Sequence, residues 1–270
     1  VRINQNIAAM SALRNLSTNS THMQKSLDRL SSGFRISRAA DDAAGLVISE
    51  GLRSQMGGLK VASRNAQDGI SIVQTAEGAL TEVHSILQRM RDLSVQANNT
   101  GTNGDAAVTA IQDEIDQLAE ELDRISATTE FNGTQLLDGN YEGTFQVGAG
   151  SSSDHQIGVT ISEMSASGLS VDSLDMTDAT AAIDALDTAI DTVSAARGEL
   201  GAVQNRFEHT IANLGVAIEN ISASESRIRD TDMADEMAKF TRHQIMVQAG
   251  TAMLAQANTS TQSVLALLRG

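Results

Sequence analysis

Residues 183–228 read IDALDTAIDTVSAARGELGAVQNRFEHTIANLGVAIENISASESRI. Within them Ile183, Leu186, Ile190, Val193, Arg197, Leu200, Gln204, Phe207, Ile211, Leu214, Ile218, Ile221, Glu225 and Ile228 alternate steps of three and four, and eleven of the fourteen are apolar. That spacing lines one face of an α-helix and predicts a coiled-coil seam of about six heptads. At about 1.5 Å per residue such a helix is about 70 Å long, more than a compact domain holds.

The same alternation recurs outward from this stretch. Residues 46–98 predict a second long helix with two stripes. One runs from Leu52, Met56 and Leu59 through Val73, Glu77 and Leu80 to Leu87; the other is Ile72, Ala76, Ala79, Val83, Ile86, Met90, Leu93 and Ala97. Two stripes on one helix require two neighbours, as in a bundle. Gly51, Gly57, Gly58, Gly69 and Gly78 inside it mark close contacts or bends, since each costs about 1 kcal/mol against Ala. NNTGTNGD (98–105) is a turn by composition. Val108, Ile111, Ile115, Leu118, Leu122 and Ile125 predict a third helix. The pattern then changes. Asn132-Gly133 and Asp138-Gly139 are turn pairs, and 145–147 and 157–161 read as strands around a polar loop.

Composition agrees with thin helix-on-helix seams. The 270 residues include no Trp, one Tyr and five Phe, and no Pro that would force a helix to stop. Net charge is −15, which excludes nucleic acid as a general partner. The charge is segregated: residues 1–38 carry +5 and residues 239–270 carry +3, leaving −23 between them. With no Cys there is no disulfide framework and no thiol chemistry. No stretch approaches 18 apolar residues, so no membrane insertion is expected, and VRINQNIAAMSALRNL lacks the apolar run of a cleavable secretory signal.

Both ends of the chain are helical by pattern and lack a partner nearby in sequence. At the N-terminus Ile3, Ile7 and Met10 precede Leu16, Ser20, Met23, Leu27, Leu30 and Phe34. At the C-terminus Met233, Met237, Phe240, Gln244, Val247, Thr251, Leu254, Asn258, Thr261, Leu265 and Leu268 keep the step, with Met246, Met253, Ala257, Val264 and Leu267 on an adjoining face. The economical solution pairs the two ends with each other and turns their remaining faces to other copies of the chain. Ile3, Ile7, Leu16, Met23, Leu27, Leu30, Met237, Phe240, Val247, Leu254, Leu265 and Leu268 are the expected assembly residues. The fold class is mainly α: a long antiparallel coiled-coil or helix-bundle rod with a small β-hairpin region and paired terminal helices. A contact between copies that does not close produces a filament.

Several stretches resemble bacterial flagellins. LSSGF followed by RISRAADDAAGL (35–46), LQRMRDLSVQANN (87–99), IQDEIDQL (111–118) and EFNGTQLLDG (130–139) stand in that family's order. SRIRDTDMADEMA (226–238) and QAGTAMLAQANTSTQSVLALL (248–268) resemble its C-terminal signature. The resemblance implies a short form: residues 1–40 and 233–270 as a terminal coiled coil at the filament core, and 41–232 as a helical rod with a β-hairpin region at 131–177, without a separate outer domain. It implies a structural subunit of the flagellar filament, secreted and extracellular, with itself as main partner. It further implies the flagellar export apparatus, an export chaperone, the filament cap and hook-junction proteins as partners. A host innate immune receptor would read a patch that includes Arg89, Leu93 and Glu114, although Met90, Asp92 and Ser94 depart from the commonest pattern. The family's tail usually carries a proline near the position of Thr261, absent here, and Phe34 stands where an aliphatic residue is commoner.

Gly33, Arg35, Arg38, Asp41 and Asp42 could suggest phosphate or metal work, but no Gly-rich phosphate loop and no His lies near them. They read as a joint: Gly33 ends the first helix, the aspartates favour the positive end of the next, and the arginines seek acidic neighbours. His22, His84, His155, His209 and His243 form no zinc motif, so neither cofactor nor enzymatic activity is expected. Two rivals to the filament subunit are a hook–filament junction protein with the same end motifs and a signalling coiled coil, which would require a membrane span or sensor.

Overall fold

The computed structural model describes residues 5–99, 101 and 104–269, with side chains through residue 259. Five helices account for most of it: α1 (Ile7–Ser32), α2 (Ala43–Ala97), α3 (Asp105–Thr128), α4 (Ala179–Arg229) and α5 (Met233–Arg269). Between α3 and α4 lie two small antiparallel sheets, β1 (Glu130–Phe131) with β2 (Thr134–Gln135) and β3 (Tyr141–Gln146) with β4 (Gln156–Ile161). The chain divides into two compact units, Val1–Ser54 with Asn220–Gly270 and Gln55–Glu219.

The larger unit holds the continuous core. Every predicted seam position of α4 is buried or half-buried, and Leu186, Val193, Leu200, Phe207 and Leu214 are among the most enclosed. The second stripe of α2 is likewise enclosed, with Ala76, Val83 and Met90 at zero exposure. The polar interruptions of the two seams meet: Arg197 of α4 reaches Glu77 of α2 at 3.8 Å. A charge in each seam at one level favours the register in which they face. The helix glycines separate into two kinds. A Cβ on Gly69 would lie 2.6 Å from Phe207 Cζ, and one on Gly58 would lie 3.0 Å from Ala149 Cβ, so these two permit close approach. Gly51, Gly57 and Gly78 face open space.

The turn pairs Asn132-Gly133 and Asp138-Gly139 form as their sequences require, and the turn predicted at 98–105 falls partly outside the described residues. Asn132 and Gly133 have φ of 51° and 79°, the left-handed pair that joins β1 to β2. The strand predicted at 145–147 is displaced. It begins at Tyr141, pairs Tyr141 with Ile161 through Gln146 with Gln156, and ends before Val147. Alternating burial along β3 already starts at Tyr141, where the segment lacks the apolar run that marked 157–161. The connection onward to α4 is irregular but anchored. Gln112 of α3 donates to the Leu174 carbonyl and accepts from the Met176 amide, and Asp123 accepts from the Ala166 amide. Met164, Ala166, Val171 and Met176 are thereby fixed in the core.

Candidate assembly surface

In the smaller unit α1 and α5 pair antiparallel. The Asn6 side chain donates to the Ala257 carbonyl, Gly250 lies against Leu16, the rings of His22 and His243 stack at 5.2 Å, and Arg29 faces Glu236 at 3.9 Å. The pairing of the two ends is as expected, and the less exposed stripe coincides with the predicted one only in part on each helix. On α5 the less exposed positions are Glu236, Lys239, Phe240, His243, Val247, Gly250, Leu254 and Ala257. Phe240, Val247 and Leu254 belong to the predicted seam. Its alternate members Met237, Gln244, Thr251 and Asn258 are exposed, and their inward neighbours lie one residue earlier. On α1 Leu16, Met23 and Leu30 are half-buried, while Ser26 is buried and Leu27 is exposed.

Size contributes to this choice. Ala9, Ala12, Ser26, Gly250 and Ala257 are small residues on the less exposed side, and part of the larger apolar set is left outside it. Ile7, Met10, Leu13 and Leu27 of α1 and Met233, Met237, Ile245, Met246 and Met253 of α5 are all exposed. Ile3 lies outside the described residues, as do the side chains of Leu265 and Leu268.

The segment between α1 and α2 is held by backbone and charge within the smaller unit. Gly33 takes φ 74° and its amide bonds the Arg29 carbonyl, closing α1. Phe34 bridges Asp230, the Arg35 amide donates to the Arg229 carbonyl at 2.7 Å, and the Thr231 amide donates to the Gly33 carbonyl at 2.9 Å. The Arg35 guanidinium donates to the Ile228 carbonyl, whereas Arg38 pairs with Asp28 at 3.7 Å. Asp42 accepts from the Gly45 amide at 2.9 Å. Asp41 accepts from the amides of Arg38 and Ser37 and from the Ser37 hydroxyl. The Arg38 amide is the main reason that the Asp41 carboxyl stays below the usual carboxylate range.

Arg229, which sequence reasoning did not single out, is the hub of this region. Its guanidinium pairs with Glu50 at 2.8 Å and Glu225 at 3.9 Å and lies 4.7 Å from the centre of the Phe34 ring. Phe34, the unusual aromatic, therefore has a specific contact here. The signal available in sequence was only the pair of arginines in SRIRD.

In the larger unit Arg89 donates two hydrogen bonds to Glu114, at 3.0 and 2.7 Å, on an exposed surface. Leu93 lies in the core at 3% exposure, so these three residues do not form one exposed patch. Among the described residues no three His, Asp or Glu side chains are placed to hold a metal ion, and no helix is long and apolar enough to cross a membrane.

The description of the bacterial flagellin N-terminal helical region matches residues 3–142, and that of the bacterial flagellin C-terminal helical region matches residues 183–268. The chain belongs to the bacterial flagellin family. It is 54% identical to a flagellin of Halalkalibacterium halodurans over 99% of both chains, and 50% identical to a flagellin of Bacillus subtilis over the whole of both. It is 46% identical to the flagellar filament 33 kDa core protein of Treponema phagedenis over 99% of both. The chain is accordingly a structural subunit of the flagellar filament, serving motility. The junction-protein alternative has no better support than this.

Proposed function

We propose that the exposed apolar face of the α1–α5 pair is the surface through which this flagellin joins its copies. Residues 1–40 and 233–270 form the filament core. Residues 41–232, with the hairpin region at 131–177, form the shell around it, and there is no separate outer domain. One observation carries this reading. Among the described residues, twelve of the fifteen exposed large hydrophobic side chains belong to the smaller unit. An apolar face of this kind is unstable against water and is satisfied by association. The basic balance of both ends against an acidic middle favours the same arrangement, with the acidic part facing solvent. The Gly33–Asp42 segment then acts as the joint between core and shell, held through Arg35, Arg38 and Arg229. The role is structural, with no catalytic residue and no cofactor.

The test is seeded elongation followed by light scattering. Leu13→Gln and Ile245→Gln remove one exposed apolar group each. Both should leave the helix content of the free subunit unchanged and slow elongation about ten-fold, as expected for an interface residue worth more than 1 kcal/mol. Elongation at the unaltered rate in both variants would refute the assignment.

A filament subunit of this family is delivered outside the cell, so the chain is secreted. Its further partners are the flagellar export apparatus, an export chaperone, the filament cap and the hook-junction proteins. A host innate immune receptor is a further partner, through the Arg89–Glu114 pair. The exposure of that pair supports the reading, while Leu93 is a core residue. A receptor reporter assay on free subunits should respond to the chain and lose the response in Arg89→Ala; no response at high dose counts against it.

A further inference from the structure

The chain has ten methionines and no cysteine. Five of the ten, Met10, Met233, Met237, Met246 and Met253, are exposed, at 48–65%. All five lie on α1 or α5. Met90, Met164 and Met176 are enclosed in the larger unit at 3% exposure or less. Met246 and Met253 line a groove of about 370 Å³ with Ala8, Ala12, Leu16 and Gly250. The oxidisable sulfur is thus concentrated on the face assigned above to contact between copies.

We propose that these five methionines are a modification site for two-electron oxidants of the peroxide class, and that their oxidation in the free subunit prevents its incorporation. This rests on the assembly reading of the α1–α5 face. In each step the thioether sulfur attacks one peroxide oxygen. A sulfur–oxygen bond forms and the oxygen–oxygen bond breaks. Sulfur loses two electrons, peroxide gains them, and the departing hydroxide takes the remaining proton to leave as water. With no thiol in the chain to react first, exposed methionine is the readiest target. The product is polar and a strong hydrogen-bond acceptor. Burying it in an apolar contact without a donor is unfavourable. In a formed filament the same sulfurs are covered by neighbours, so the effect falls on subunits rather than on polymer.

The test treats purified full-length subunits with hydrogen peroxide, quenches, maps oxidised methionines by peptide mass spectrometry and measures seeded elongation. The five exposed methionines should oxidise at least about ten-fold faster than Met90, Met164 and Met176. Oxidised subunits should elongate seeds at least about ten-fold more slowly. Methionine sulfoxide reductases should restore the rate. Subunits with Leu at all five positions should elongate at the same rate before and after peroxide, whatever that rate is. Wild-type subunits oxidised at these five positions that elongate at the untreated rate would overturn the proposal. So would a five-Leu variant that still loses elongation after treatment. Failure of the underlying assembly reading is separate: it appears as normal elongation by Leu13→Gln and Ile245→Gln without any oxidant.

Discussion

Asp41 and Asp42 divide the work at the start of α2. Asp42 satisfies the Gly45 amide, one of the donors a helix leaves free at its first turn. Asp42→Ala should therefore reduce stability by about 1 kcal/mol in a urea melt followed by circular dichroism. Asp41 holds the preceding turn, and its carboxyl lies below the ordinary range because the Arg38 amide, then those around Ser37, stabilise the anion. A depressed folded value means that the contribution is complete above the ordinary carboxylate range and is lost as pH falls through the lowered one. Asp41→Asn should flatten the acid side of the stability–pH curve and leave the neutral side parallel to wild type. Replacing both aspartates by Ala should also weaken filament formation. The acidic pair beside a helix start was legible because its partners are three or four residues away. Arg229 was not, because Glu50 and Phe34 reach it from across the chain; the Arg229–Glu50 contact spans 179 residues.

At the scale of elements, periodicity located the helices more securely than it chose the phase of their contacts. The α4 seam was legible because its large residues fall on one stripe. Helix α5 carries apolar residues on several faces, so a spacing of three and four fits more than one phase, and small residues on the less exposed side contribute to the choice. Ser26 and Leu27 test this. Ser26→Leu places extra volume in the contact and should destabilise the pair by about 1–3 kcal/mol. Leu27→Gln should change stability by less than about 0.5 kcal/mol and still slow elongation. Gly69 shows the opposite kind of closeness. Its absent side chain is where the fully enclosed Phe207 ring sits. Gly69→Ala should lower the melting temperature, by about 1–3 kcal/mol of stability, and Phe207→Leu in the same chain should recover part of the loss. The strand at Tyr141 was missed because alternation of half-buried polar and apolar residues is a weak signal, whereas Asn132-Gly133 states its turn in two residues.

For the whole molecule, nine large apolar side chains among the described residues of α1 and α5 are left exposed. Among the described residues only Ser26 and Glu236 of that pair are buried, unlike the core around Phe207, and marginal helix pairs open readily. The most direct measurement is amide hydrogen exchange over residues 7–32 and 233–259, in free subunits and in filaments grown from them. These segments should exchange rapidly in the free subunit, while 183–214 is protected, and should become protected at least about a hundred-fold more strongly in the filament. Equal protection of the two helices in both states would mean that the pair completes itself within one molecule, and would contradict the account.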